Sequence, residues 1–364
     1  MKRKFLIFLL VTTSMSTISQ LALAQNEDDI IRFLQAGQED GSKMITAYIN
    51  PFVEGLSYSL NGAWFHTARP HKLGGFDLNV AVTPVFIPTS QDTFDPLSLG
   101  LTTVTGFTNL TNADRGAPTI TGKDDETRYF INVDLDADGN VNSPGNPQND
   151  PNDSFTGPEG LNLRETIKIA PIGSPMLQVG IGLVKNTDIM VRFVPKSTLG
   201  STSAKLLGFG VRHDIKQHIA GLKMVPIDLS LMAGYTQLTI DTDLSGIASE
   251  FPPVTPGTAQ KAEMTMNAFL IQALVSKQLS FITFFGGVGY NGIKTSADIK
   301  GSYTIFDGRQ DEFTLTDPYS ANFKNNSFRF DVGMRFNILA FYLYGNYTIQ
   351  EYSAVTAGLG FTFR

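Results

Sequence analysis

No cysteine occurs in this chain of 364 residues, which excludes both a disulfide framework and a lipid-modified cysteine anchor. Charge is scarce as well. Asp, Glu, Lys and Arg make up 17% of the residues and the net charge is −6, a balance that gives no footing to a nucleic-acid partner or a polyacidic tail. Past the first residues no apolar run approaches the ~18 residues of a membrane helix. A helical span is thereby excluded, and a closed β-barrel is the only structure with which such a chain would cross a bilayer. No G-x-S-x-G nucleophile elbow is present and no Ser-His-Asp set stands out, so we expect no enzyme.

What is present points to export and to strands. Lys2, Arg3 and Lys4 precede an apolar run from Phe5 to Val11, and Ala22-Leu23-Ala24 stands before Gln25. This reads as a secretory signal over residues 1–24. At the other end, Val355, Ala357, Leu359, Phe361 and Phe363 alternate with Thr356, Gly358, Gly360, Thr362 and Arg364. One face meets lipid and the other water. Upstream, Phe328, Phe330, Val332, Met334 and Phe336 alternate with Ser327, Arg329, Asp331, Gly333 and Arg335. An arginine-bearing face opposite a wholly apolar one needs a wet or charge-paired interior. Weaker copies of the pattern run from Phe76 to Val82, from Leu177 to Phe193, through Leu207, Phe209 and Val211, from Pro226 with a phase change and an expected bulge or strand end at Leu238, and from 262 to 292 with a turn at Lys277-Gln278.

Counting back from the C-terminus puts Asn337 to Leu339, Ser276 to Leu279 and Lys185 to Thr187 at one end as tight turns. Asp241 to Gln260 and Thr295 to Asn322 then fall at the other end as long polar loops, the asymmetry expected of an outer-membrane barrel. Asp214 to Val225 lies on the short-turn side with Ile215, Ile219 and Leu222, and reads as a helical turn at the interface. The fold expected is an all-β antiparallel transmembrane barrel of about 10–14 strands with short N-terminal helices. Its domains are the signal, an N-terminal helical plug-like segment at 25–74, and the barrel at 75–364 with a long outer loop at about 88–174. That loop is the place for a further hairpin near Leu101 to Phe107 and Thr127 to Val133.

In the plug-like segment Ile30, Phe33 and Leu34 share one helix face up to Gly37, and Met44, Ile45 and Tyr48 share another before Pro51. A plug, a periplasmic arm and surface-lying helices all fit these faces. Gly55 to Thr67, with the sole Trp64, is open to reading as a strand. Removal of Gln25 to Asn50 is expected to raise conductance if the helices close the pore.

The amphipathic helices, the stretch from Trp64 to Phe76 (WFHTARPHKLGGF) and the stretch from Gly210 to Lys216 (GVRHDIK) resemble a family of functionally uncharacterised outer-membrane barrels. In plan the chain is also similar to the long-chain fatty acid transporter (FadL) family, which implies an N-terminal hatch inside a fourteen-stranded barrel. It lacks the Asn-Pro-Ala type N-terminal motif of those transporters, and no binding residue carries over.

Inward-facing Arg192, Arg212, Arg329, Asp331 and Arg335 are the lumen-lining candidates, either pairing among themselves or selecting anionic solutes and amphiphile headgroups. Asp134, Asp136 and Asp138 alternate before Gly139 as the start of an EF-hand loop does. Gly145 stands where that loop needs its glutamate, so a calcium site with Asp150 or Asp153 as late ligands competes with a solvated acidic turn. His66, His71, His213 and His218 form two pairs five apart, a spacing that suits neither a helix face nor a strand face for metal. The partners expected are outer-membrane lipid, the barrel assembly machinery reading Phe361 and Phe363, and a small-molecule ligand, with no nucleic acid and no obligate cofactor. Function is expected to be that of a passive channel or transporter for small molecules, hydrophobic ones included. The alternative is a structural or surface-binding barrel that acts through its outer loops.

Overall fold

The computed structural model describes residues 29–109, 116–132, 138, 140, 142–143, 150, 152–164, 171–245, 254–256, 259–306 and 312–363. The expected signal at 1–24, and Asp134 and Asp136 of the acidic loop, lie outside the described residues. Asp29–Ala36 forms a 3-10 helix that runs into one long helix, α1 (Gly37–Leu60). Ten antiparallel strands then close into a barrel: β1 (Phe76–Phe86), β2 (Pro171–Leu183), β3 (Thr187–Leu199), β4 (Thr202–Asp214), β5 (Asp228–Asp243), β6 (Lys261–Leu279), β7 (Ile282–Lys300), β8 (Tyr319–Ile338), β9 (Phe341–Ile349) and β10 (Ala354–Phe363). Closure comes from β1, which pairs with β10 on one side, Phe76 opposite Phe363, and with β2 on the other, Phe76 opposite Ile181. Ten strands is the lower end of the expected range, and the fourteen strands implied by the fatty acid transporter plan are not built.

The barrel has two storeys, and one chemical inversion separates them. Near the turn end the outward residues are apolar. On β8 Phe328, Phe330 and Val332 are 72%, 55% and 62% exposed while Arg329 and Asp331 between them are buried. This band runs from Phe328 to Phe336, roughly 25 Å once tilted. Above it the polarity reverses. Outward positions become Asn326, Lys324, Asn322 and Ser320 on β8 and Lys294, Ser296 and Asp298 on β7, whereas Phe323, Tyr319, Ile293, Ala297 and Ile299 are buried inside. A bilayer crossing takes about 9–11 residues per strand, so β6 with 19 residues, β7 with 19 and β8 with 20 rise past it as a wall. The 9-residue β9 and 10-residue β10 do not.

That inversion explains the phase change at Leu238. Neither a bulge nor a strand end exists there: β5 pairs in continuous register with β4 and with β6, Leu238 opposite Leu206 and Met266. Leu238 is buried because the upper interior is an apolar core, while outward Gln237 donates to Asn267 at 3.0 Å. Alternation of position persists and only its chemistry flips.

The upper core is built on α1. Met44, Ile45, Tyr48, Phe52, Val53 and Leu56 pack against Leu238, Met266, Ile293 and Phe323 of the wall and against Ile120, Tyr129, Ile131 and Phe155 of the long loop. Pro51, expected to follow a helix end, lies inside α1 and is buried. A proline there costs about 3 kcal/mol in an isolated helix, which burial of both helix faces offsets. The long loop carries a small sheet of its own, in which Thr127–Ile131 pairs with Val104–Asn109 and with Ser154–Thr156. The hairpin expected in this loop therefore belongs to a head above the barrel. Buried Asp40, in the first turn of α1, accepts from the N–H groups of Thr102, Thr103 and Val104 at 2.8, 2.5 and 3.2 Å and ties helix to head.

At the turn end the connections are short. β6 runs through Lys277-Gln278 and turns at Ser280-Phe281, and β8 turns at Leu339-Ala340, each slightly later than expected. The connection from β4 to β5 holds two 3-10 turns, Lys216–His218 and Ala220–Leu222.

Candidate functional site

The residues with the most concentrated chemistry fill the lower storey. After α1 the chain does not form the strand open to Gly55–Thr67. It stays helical to Leu60 and then descends as an irregular segment, residues 61–75, through the middle of the barrel. Asn61, Ala63, Trp64, Phe65, His66, Thr67, Ala68 and His71 are buried there. An irregular segment exposes backbone groups that must find partners once water is excluded, and the inward side chains of the wall supply them.

Three arginines do most of this. From β3, Arg192 donates from Nη1 to the Leu60 carbonyl at 3.0 Å, from Nη2 to the Gly62 carbonyl at 2.6 Å and from Nε to Gln178 Oε1 at 2.9 Å. From β8, Arg329 donates from Nη1 to the Asn61 carbonyl at 2.7 Å. Arg212 of β4 donates from Nη1 to the Thr67 carbonyl at 2.6 Å. Leu60, Asn61 and Gly62 sit at the C-terminal end of α1, where unpaired carbonyls and the negative end of the helix dipole favour cations. Two guanidiniums from widely separated strands thus cap one helix terminus in the barrel interior.

Arg329 and Arg212 each pair with a carboxylate, and Arg335 meets His66. Arg329 chelates Asp331 from Nε at 2.9 Å and Nη2 at 2.7 Å, and Asp331 also accepts from Thr348 at 2.6 Å, from Asn346 at 3.1 Å and from Gln272. Arg212 pairs with buried Asp188, which in turn accepts the His71 backbone N–H at 2.8 Å and faces its Nδ1 at 3.2 Å. Arg335 donates to His66 Nδ1 at 2.8 Å and lies 3.8 Å from the Tyr342 ring centroid. That bond leaves His66 Nε2–H facing Asp77 at 3.4 Å, with the Tyr342 hydroxyl donating to the same carboxylate at 2.8 Å. Charges this buried persist only when paired and hydrogen-bonded.

Apolar packing closes what the polar groups leave. The guanidinium of Arg192 lies 3.6 Å from the ring centroid of Trp64. Opposite, the indole fills a slot made by Gly210 and Gly234, cross-strand partners on β4 and β5. A Cβ at Gly210 would stand 2.5 Å from Trp64 Cζ3, and one at Gly234 would stand 2.7 Å from Cε2. The two glycines are there to admit the ring. Lower down, Ser276 Oγ accepts the Ala68 N–H at 2.9 Å, and Gly74 and Gly182 are joined backbone to backbone at 3.0 Å.

Arg192, Arg212, Arg329, Asp331 and Arg335 thus come together around residues 60–71, all buried and all bonded to that segment or to one another. Ile30, Phe33, Leu34, Met44, Ile45 and Tyr48 lie a storey higher in the helix–head core. His66 and His71 go to different carboxylates, Asp77 and Asp188. In the acidic loop, Asp138 is exposed and accepts from the N–H and side-chain amide of Asn140, which holds its carboxyl below the usual range. Among the described residues no three His, Cys, Asp or Glu side chains converge as a metal cluster. On α1, burial raises the Glu54 carboxyl above its ordinary range, while the Tyr352 hydroxyl, donating at 2.9 Å, acts the other way. Sequence reading gave Trp64, His66 and His71 no place in the lumen and missed Asp77 and Asp188. The juxtaposition of buried-type and charged residues in WFHTARPH was the visible signal for Trp64, His66 and His71.

Among curated proteins none matches this chain in sequence. Among solved structures it is similar to the translocator domain of autotransporter NalP from Neisseria meningitidis, with 10% identity over 90% of this chain and 99% of that one and a TM-score of 0.30. It is also similar to the outer membrane protease OmpT of Escherichia coli, with 10% identity over 80% and 96% and a TM-score of 0.29. The attachment invasion locus protein Ail of Yersinia pestis shows 11% identity over 52% and 97%, with a TM-score of 0.23. Likenesses this distant say nothing of activity. The family model that matches covers residues 1–363, and the chain belongs to that family, DUF6588, a family of unknown function.

Proposed function

We propose that this protein is an outer-membrane barrel held shut by its own N-terminal segment, and that it acts through the head at its loop end. The apolar outward band supports the membrane setting, because a soluble barrel has no reason to expose Phe328, Phe330, Val332 and Leu359 in register. The signal-like N-terminus supports export. By this reading the short turns face the periplasm and the helix–head core faces outward. The observation that carries the proposal is the capping of α1 by Arg192 and Arg329, which fills the lumen with hydrogen-bonded side chains and backbone.

A gated transporter for small molecules is the second reading. It is favoured by the polar make-up of the seal, since hydrogen bonds and ion pairs exchange with a competing ligand more readily than packed hydrocarbon does. Planar bilayers distinguish the two. The full-length protein is expected to show no stepwise conductance, and liposomes carrying it no uptake of sugars, amino acids or monoaromatic compounds. Saturable uptake of any of these by the unmodified protein would support the transporter instead.

A further inference from the structure

Where the wall of the upper storey leaves the apolar band, two lysines stand side by side. Lys294 of β7 and Lys324 of β8 are cross-strand partners, and both are outward and exposed. Like charges placed directly opposite each other destabilise a sheet, so the pair calls for an anion. The described residues supply none. Asp298, further along the same face, accepts from Ser296 at 3.0 Å and from Ser320 at 2.6 Å, and Glu263 is held between Lys261 and Lys300. The outward neighbour of Lys294 on β6 is Asn267, a neutral amide whose oxygen accepts from Tyr235 at 2.7 Å and Gln237 at 3.0 Å.

The height of the pair on the wall decides which anion it meets. On these two strands the last outward aromatics are Tyr290 and Phe328, themselves cross-strand partners whose rings meet edge to face at 5.4 Å. Lys294 and Lys324 follow four positions later, a rise of about 10 Å on strands tilted by about 40°. The headgroup layer beyond the hydrocarbon is about 5–8 Å deep, and a flexible lysine stem bends back along the wall to set its ammonium in that layer. Between rings and lysines the outward partners are Gly292 and Asn326. With no side chain at Gly292 a hollow opens there, and Asn326 Oδ1 borders it, 3.5 Å from where a Cβ would stand.

We infer that this patch binds the headgroup of a phosphorylated glycolipid of the outer leaflet. Lys294 and Lys324 clamp a phosphate, and the Gly292 hollow with the Asn326 amide receives the sugar that carries it. The inference rests on the outward orientation of the loop end proposed above. A phosphate offers charge-assisted acceptors to both ammoniums and relieves their mutual repulsion, while Tyr290 below is of the type that settles at headgroup level. A phospholipid phosphate would fill the clamp and leave the hollow and the amide unused. In the bland reading the lysines are solvated charges of a wall that stands in water.

Native mass spectrometry of the full-length protein in detergent separates these, with four probes: bisphosphorylated lipid A, its dephosphorylated form, phosphatidylglycerol and inorganic phosphate. The expected result is one bisphosphorylated glycolipid per chain, held in preference to the other three. Lys294→Gln with Lys324→Gln is expected to weaken it about thirtyfold, as the loss of two lysines at an anionic lipid surface implies. Lys261→Gln with Lys300→Gln removes the same charge from the Glu263 pair higher on the wall and should leave binding unchanged. All four lysines lie on the outer wall, so both double variants should keep the heat-resistant folded band of the parent. Equal binding of the dephosphorylated glycolipid, phosphatidylglycerol held as tightly, or two double variants that bind alike overturns the inference. Insertion into lipid vesicles is scored separately. A parent that inserts but shows no phosphate-dependent binding removes this site alone, whereas a parent that does not insert removes the membrane reading with it.

Discussion

Replacing Arg192 and Arg329 together with alanine is expected to turn a silent barrel into a leaky and less stable one. Arg329→Ala leaves Asp331 buried without its guanidinium, and breaking a buried pair on one side costs about 3–5 kcal/mol. Arg192→Ala strands the Leu60 and Gly62 carbonyls, each of which loses a donor in a dry interior, at about 1–3 kcal/mol apiece. With both removed the C-terminal end of α1 loses its caps and the segment below it loses its upper fixings. The double variant should lose its heat-resistant folded band in gel electrophoresis at a lower temperature, and in planar bilayers it should show conductance steps that the unmodified protein lacks. Arg192→Gln with Arg329→Gln keeps most of the volume and should leak too. If the alanine pair is as silent and as heat-resistant as the parent, the seal does not depend on these bonds.

The second large effect separates the two storeys. Val332 is outward in the apolar band and Asn322 is outward ten positions up the same strand, beyond the inversion. An arginine at Val332 meets lipid and should cost about 2–4 kcal/mol if the site is near the bilayer midplane. At Asn322 it meets water and should fall within about 0.5 kcal/mol of the parent. Urea unfolding from detergent or lipid vesicles reads both. Leu359 on β10 should behave as Val332 does. Equal tolerance at Val332 and Asn322 would argue that no membrane surrounds the lower band.

The barrel was legible because its signal is local. Alternation on β8 and β10 needs only neighbouring residues, and the inward placement of Arg192, Arg212, Arg329, Asp331 and Arg335 follows from it. Their partners were not legible. Arg192 reaches carbonyls 132 and 130 residues away, and a backbone carbonyl has no residue-type signature. The same lack of long-range information turned the polarity inversion at Leu238 into an expected bulge or strand end and set a helix end at Pro51. It also left Ile30 to Tyr48 open between a plug, a periplasmic arm and surface-lying helices. Those faces are buried as amphipathic helices should be, but in the head core, and the charged lumen below is filled by residues 60–71. Removing Gln25 to Asn50 is therefore expected to take away the upper packing and to leave the proposed lower seal in place.

The N-terminal segment is threaded through the barrel from the loop end to the turn end. Gln38 is exposed at the top of α1 and Leu73 is 71% exposed just before β1 at the other end. Since the chain has no cysteine, Gln38→Cys and Leu73→Cys each supply a unique thiol. On intact cells of a Gram-negative host, a membrane-impermeant maleimide is expected to label Gln38→Cys and to spare Leu73→Cys until the outer membrane is permeabilised. Labelling of neither site before permeabilisation and of both after it would place the N-terminal helix in the periplasm and contradict the sealed, threaded barrel.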